Sequence, residues 1–281
     1  MHMRIHSFKE YWAYYIVSNG TTRHWFPFLR GKIVKKYTAL KTMHRNANQF
    51  AGEHRIARED LRNNRQALRE FFNRTTLEDY WKYYVLSNDA PHYHLPWEGQ
   101  EMTKFPADII IYKDLIDTSK PEVVIEIGTQ RGISALFLAS LVKPYGGLVI
   151  TIDIKEPPGS TLEEFQKQGI MFVHGDATTV EIATHVKKLV GGKKCFIIDD
   201  GSHRHDDVLS AFALYGECVP IGGYFAIEDG MTNWLVQNRD YDALGAVDEI
   251  VRTNADTWRR YSKYDAFIFF SMYQGILQKI N

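Results

Sequence analysis

Two acid-bearing segments carry the residues best suited to chemistry: Phe196-Ile-Ile-Asp-Asp-Gly-Ser-His203 and Tyr224-Phe-Ala-Ile-Glu-Asp-Gly230. In each, apolar or β-branched residues run into carboxylates and a glycine, the pattern of a buried parallel strand whose carboxyl end opens into a reactive loop. Open α/β sheets bind ligands outside the carboxyl ends of their strands, so two such ends in one sheet can share a site. Asp200, Glu228 and Asp229 then form an oxygen-ligand cage suited to Mg2+ or another hard divalent cation. His203 follows Asp200 by three residues and has a side chain whose ordinary pKa suits general-base work near neutrality. A cation there lowers the cost of deprotonating a nearby hydroxyl, and an acceptor with neighbouring hydroxyls, a sugar diol or a catechol-like group, fits such a site. Each acid alone is more often structural: Ser202 or Asp206 as a helix cap, Glu228-Asp229 as an acidic turn. Their joint placement at two strand ends favours the metal site. Arg204 and His205 are candidates for the substrate side only.

The elements that must position these residues begin at Pro121, where the hydrophobic period changes to strand, helix, strand. Val123–Ile127 is the first strand, Gly128–Gly132 a turn, and Ile133–Leu141 a helix. Strands follow at 148–153, 170–174, 196–200 and 224–227, with helices around 162–168, 180–190, 208–215 and 243–253. Alternation of this kind predicts a doubly wound, mostly parallel α/β sheet. Ala266–Phe270 and Gly275–Ile280 read as a terminal hairpin adding an antiparallel strand.

The Gly128-x-x-x-Gly132 turn, leading into a helix N-terminus, suits a nucleotide or a similar group. The dinucleotide fingerprint needs Gly-x-Gly-x-x-Gly, whereas this turn is Gly128-x-x-x-Gly132 with Thr129 after its first glycine, which argues against a pyrophosphate lying on this backbone. Glu126 precedes the turn, Asp153 ends the second strand, and Gly175-Asp176-Ala177 ends the third. An acid at the Asp153 position suits paired ribose hydroxyls, and Glu126 an ammonium group held indirectly; both acids have helix capping as the plainer alternative. Whether Asp199 meets cofactor, metal or neither stays open.

Residues 1–105 have a helical pattern with an internal repeat: residues 8–19 match residues 77–88, with Tyr11, Trp12, Tyr14 and Tyr15 answered by Tyr80, Trp81, Tyr83 and Tyr84. These aromatic faces are expected to pack on each other or on a neighbouring subunit, the alternative being a lid over a pocket. Residues 53–74 read as a charged amphipathic helix. Asp89-Ala-Pro91 and Leu95-Pro-Trp-Glu-Gly99 read as helix-breaking loops, and His92 and His94 lack partners at ligand spacing. The division expected is thus 1–105 and 106–281.

Taken in order, Glu126-Ile-Gly-Thr-x-x-Gly132, Asp153, Gly175-Asp176, Asp200-Gly-Ser-His203 and Glu228-Asp-Gly230 resemble class I S-adenosylmethionine-dependent methyltransferases. The chain is most similar to their metal-dependent branch, with the cephalosporin hydroxylase-like proteins and the rhamnosyl and macrolide-sugar O-methyltransferases. Trp97, Gly99, Lys104, Pro106 and Asp108 extend the resemblance to roughly 97–280, leaving the repeat-bearing N-terminus uncovered. It implies a Rossmann-like methyltransferase fold with a helical N-terminal extension. S-adenosylmethionine is then expected at Glu126, Gly128, Thr129, Gly132, Asp153, Asp176, Ala177 and Asp199. Magnesium is expected on Asp200, Glu228 and Asp229, with His203 as general base. The acceptor implied is a hydroxylated small molecule, a sugar of a glycosylated natural product or glycan. The rivals are a phenol or amine acceptor on the same fold, a nonenzymatic assembly subunit, and an NAD-type protein.

Bulk composition bounds the rest. Lys+Arg and Asp+Glu both number 34 in 281 residues, so no global basic footprint points to nucleic acid. Two cysteines, Cys195 and Cys218, read as thiols in a reducing compartment. No apolar run reaches membrane-spanning length. A cytoplasmic homo-oligomer, with no membrane partner, is the expectation.

Overall fold

The computed structural model describes residues 95–230, 241–267 and 270–281. The aromatic repeat, the expected helix at 53–74, and His92 and His94 lie outside the described residues. From Leu95 the chain forms a hairpin, β1 (Leu95–Trp97) against β2 (Gln100–Met102). Its two-residue turn, Glu98 at φ 46° and Gly99 at φ 80°, matches the twist of paired strands. A loop was expected here; the turn chemistry of Glu98-Gly99 lets the flanking residues pair instead. Trp97 stands edge-on to Phe137, with ring centroids 5.1 Å apart.

Helix α1 (Pro106–Ser119) starts where its residue types dictate. Pro106 has no N–H to leave unpaired, and the Asp108 carboxylate accepts from the Phe105 N–H at 2.8 Å. The other Asp108 oxygen accepts from the Ser271 N–H at 2.8 Å, so this buried acid ties the helix start to a distant segment. The alternation then runs β3 (Val123–Ile127), α2 (Ile133–Val142), β4 (Leu148–Asp153), α3 (Gly159–Gln168), β5 (Met171–His174), α4 (Val180–Val190) and β6 (Cys195–Asp199). It continues with α5 (His205–Tyr215), β7 (Tyr224–Ile227), α6 (Ala243–Thr253), β8 (Trp258–Arg260) and β9 (Ile276–Lys279).

Seven strands lie in the order β5-β4-β3-β6-β7-β9-β8. The first five are mutually parallel, whereas β9 runs antiparallel to both β7 and β8. This is the doubly wound, mostly parallel sheet with an antiparallel C-terminal strand. The expected terminal hairpin differs in one respect: β9 pairs with β8 and β7, and Asp265–Phe267 is a short 3-10 turn. Trp258-Arg-Arg260 is too short and polar to stand out as a strand, yet its Trp258 ring packs edge-on against Phe212 at 5.1 Å.

The pleat sorts the core into two layers. Ile125, Ile127, Ile150, Ile152, Ile197, Phe225 and Ile227 pack with residues of α4, α5 and α6. Val124, Val149, Phe196, Ile198 and Ala226 pack with residues of α1, α2 and α3. Both cysteines are free thiols. Among the described residues no helix is long and apolar enough to cross a membrane.

Candidate metal and cofactor site

Register places the chemistry. Ile127, Asp199 and Ile227 are neighbours across β3, β6 and β7. Pairing carries one residue further, since the Asp200 N–H reaches the Ile127 carbonyl and the Glu228 N–H the Asp199 carbonyl, both at 2.9 Å. Gly128, Asp200 and Glu228 therefore form one row beyond the strand ends, and alternation turns their side chains to the α1 face. Gly128 permits this approach: at φ +96°, a Cβ there would lie 2.1 Å from the Asp200 carbonyl oxygen. Asp199 points to the other face, away from Asp200.

Asp200, His203 and Asp229 each offer a ligand atom, all within 4.8 Å of one another. His203 Nε2 is 3.5 Å from Asp229 Oδ2 and 3.8 Å from Asp200 Oδ1. His203 and Asp229 both have left-handed backbones, φ 57° and 52°. For non-glycine residues that conformation is uncommon and concentrates at functional sites. Burial pulls the His203 imidazole down, but Asp229, Asp200 and Asp199 outweigh it and hold the pKa above its ordinary value.

Glu228 is brought to the same row, but its Oε1 is engaged by two groups from the chain around α1. Lys104 Nζ donates to it at 2.6 Å and to Asp200 Oδ2 at 2.5 Å, and the Tyr112 hydroxyl also donates to Glu228 Oε1. Burial opposes a charged Lys104, yet the attraction of Asp200 and Glu228 raises its pKa well above the ordinary lysine value. The lysine is a cation in place. Exposure rises outward: side chains of Glu228 and Lys104 are 2% and 3% exposed, those of Asp200 and Asp229 24% and 43%. Lys104 lies ahead of the boundary expected at residue 106, and its role and that of Tyr112 were not legible. Their partners are 96 and 116 residues away; only the Lys-x-Pro-x-Asp spacing in the resemblance pointed near them.

The cofactor candidates line the ends of β3, β4 and β5. Glu126 is buried, with Ser134 Oγ donating to one oxygen at 2.5 Å and Thr151 Oγ1 to the other at 2.6 Å. Burial pushes its carboxyl up to about 7, against the pull of Lys104. Thr129 and Thr151 hydroxyls are 2.6 Å apart. Asp153 accepts from the N–H of Gln130 (2.8 Å) and of Lys155 (2.9 Å), joining the glycine turn to the end of β4. Gly132, at φ +82°, starts α2 where a Cβ would meet Phe165 and Thr161 at 2.6 Å. Asp176 turns into its own loop, accepting from Thr178 N–H at 2.9 Å and hydroxyl at 2.7 Å, and Ala177 is buried beside it. Asp199 takes the Gly201 N–H at 3.3 Å on Oδ1; its Oδ2 is buried without a partner among the described residues. Burial pushes the Asp199 carboxyl up to about 6.

The residues fit a divalent cation. Two carboxylates and an imidazole converge at one opening, and an ammonium already bridges one of those carboxylates to a third at the closed end.

Comparison with known proteins shows the family and the fold. The family model for rhamnosyl O-methyltransferase/CmcI matches residues 90–280, about two-thirds of the chain. The rhamnosyl O-methyltransferase of Mycobacterium leprae (strain TN) is 29% identical over 142 residues, covering 49% of this chain and 61% of that protein. That of Mycobacterium bovis (strain BCG / Pasteur 1173P2) is 26% identical over 160 residues, covering 56% and 64%. The chain thus spans about three-fifths of the length of these curated relatives. The Mg-SAM structure of CmcI has the same fold, with a TM-score of 0.52 at 21% identity, over 70% of this chain and 80% of that one. The chain belongs to the rhamnosyl O-methyltransferase/CmcI family.

Proposed function

We propose that this protein transfers a methyl group from S-adenosylmethionine to a hydroxyl of a sugar moiety, with a divalent cation, Mg2+ in the first instance, held at the Asp200–Asp229 cluster. The observation that carries the reading is the convergence of Asp200, His203 and Asp229 within 4.8 Å, beside the row that Asp200 and Glu228 share with Gly128 of the glycine turn. Family membership and the names of the relatives, rhamnosyl O-methyltransferases, support the reaction and the acceptor class. S-adenosylmethionine is assigned to the turn Gly128–Gly132 with Thr129, to Glu126 and Asp153, and to Asp176, Ala177 and Asp199 beyond them.

When bound, the cation supplies a positive centre that stabilises negative charge growing on an approaching hydroxyl oxygen. Asp200 and Asp229 would hold it, with the free edge of Glu228 behind them. His203 accepts the hydroxyl proton as the oxygen–methyl bond forms and the sulfur–methyl bond breaks, releasing S-adenosylhomocysteine. Glu126, buried and fed by two hydroxyl donors, fixes the shape of the donor pocket from beneath the turn. In-line methyl transfer asks mainly for such positioning. An acceptor with neighbouring hydroxyls would offer such a cation a second oxygen, which favours a diol over an isolated alcohol.

The test is transfer of an isotope-labelled methyl group from S-adenosylmethionine to a panel of rhamnosides and other glycosides. We expect a mass gain of one methyl on the acceptor, lost with chelator and restored by Mg2+. Donor binding with no transfer to any glycoside or polyol, or transfer indifferent to chelator, would contradict the assignment.

A further inference from the structure

We propose that Lys104 is a positioning residue of the cation site. It is a counter-cation that ties back one oxygen each of Asp200 and Glu228 and leaves the Asp200 Oδ1 and Asp229 edge, beside His203, to the divalent ion. The inference rests on reading that edge as a divalent site. Three observations carry it. The ammonium bridges Asp200 Oδ2 and Glu228 Oε1 at 2.5 and 2.6 Å, so each carboxylate keeps one oxygen outside the bridge. The lysine is anchored from behind: the next residues form the start of α1, where Asp108 binds the Phe105 and Ser271 N–H groups at 2.8 Å. The lysine side chain is only 3% exposed. The third observation is the gradient of exposure, which puts Lys104 at the closed end and Asp229, at 43%, at the open one.

Charge points the same way. Three carboxylates facing one divalent ion leave a net negative charge in a mostly buried space, and one ammonium removes it. Tyr112, from the next turns of α1, completes the hold on Glu228 Oε1. Groups that orient metal ligands in this manner typically contribute 10- to 100-fold to metal affinity. The opposite arrangement, in which Lys104 fills the place of the ion and must leave before it enters, makes the reverse prediction.

Mn2+ titration followed by electron paramagnetic resonance, on the full chain without donor or acceptor, separates them. Relative to the parent, Lys104→Met should bind Mn2+ about 10- to 100-fold more weakly, with its helix content unchanged by circular dichroism. Equal or tighter binding overturns the proposal. Should that variant not fold, the parent serves: amine labelling with formaldehyde and borohydride, read by mass spectrometry, should leave Lys104 protected with and without Mn2+. The side chains of Lys113 and Lys167, at 62% and 68% exposure, should label in both. Labelling of Lys104 that grows on adding Mn2+ overturns it. A parent that binds no Mn2+ removes the cation site and this inference together, whereas a binding parent with an equally binding Lys104→Met removes this inference alone.

Discussion

Asp199 and Asp200 are consecutive carboxylates that the pleat sends to opposite faces, and their fates differ accordingly. Asp200 joins His203 and Asp229, and replacing Asp200 or Glu228 by Ala should abolish cation-dependent transfer while calorimetry still finds near-parental donor binding. His203→Ala should lower turnover by about two to four orders of magnitude. In the parent, turnover should climb with pH as the imidazole gives up its proton, and the variant should lose that limb. A His203→Ala protein as active as the parent across pH would remove the base from the scheme. Glu126 gives a stability prediction with a definite sign. Its folded pKa of about 7 lies above the ordinary glutamate value of 4.5, so the folded state binds more protons than the unfolded one between those values. Stability from this group is therefore present below pH 4.5 and falls as pH rises towards 7. In donor-free protein, Glu126→Gln should be close to neutral at pH 5 and stabilising by roughly 1–3 kcal/mol at pH 8, read by urea denaturation. At this scale the acids and His203 were legible because they follow directly on apolar strand runs, the acids at the strand ends and His203 in the loop after β6. Lys104 and Tyr112 were not, because their partners are set by tertiary folding across about a hundred residues.

The elements show which local signals were sufficient. β3, β4 and β7 have the bounds their apolar runs predict, Val123–Ile127, Leu148–Asp153 and Tyr224–Ile227, because parallel strands buried on both faces read as continuous hydrophobic runs. The C-terminal strand was legible and its partner was not. Ala266–Phe270 is apolar enough to look like a strand, while the edge residues that pair with β9 are Trp258-Arg-Arg260. Glycines in the cofactor turn make the sharpest element-scale test. Gly128→Ala would drive a Cβ into the backbone carbonyl of Asp200 at a positive φ, and backbone cannot step aside. A loss of about 2–4 kcal/mol is expected by thermal denaturation, with weakened Mn2+ binding. Gly132→Ala meets the Phe165 ring and the Thr161 methyl, which can shift, so it should cost less. Equal losses in the two variants would mean that the close approach of the turn to the Asp200 loop has been misread.

For the whole molecule, the order β5-β4-β3-β6-β7 puts the glycine turn after β3 in the middle of the sheet. The acidic ends of β4 and β5 lie on one side of it, and the carboxylate row of β6 and β7 on the other. The residues proposed for cofactor and for cation thus lie on adjacent halves of one rim, as expected at the carboxyl ends of an open sheet. S-adenosylmethionine at 100 times its Kd should stabilise the fold by about 2.7 kcal/mol, and NAD should leave the melting temperature unchanged. Neutral overall charge, with 34 residues of each sign, suits a neutral glycoside acceptor better than a polyanion. The account stands on one ion, and the most direct measurement is anomalous scattering from crystals grown with Mn2+ and S-adenosylhomocysteine. A single peak should lie between Asp200 and Asp229, beside His203, with Lys104 still bridging Asp200 and Glu228. Manganese bound elsewhere, or the same pocket closed over its carboxylates at saturating Mn2+, would contradict it.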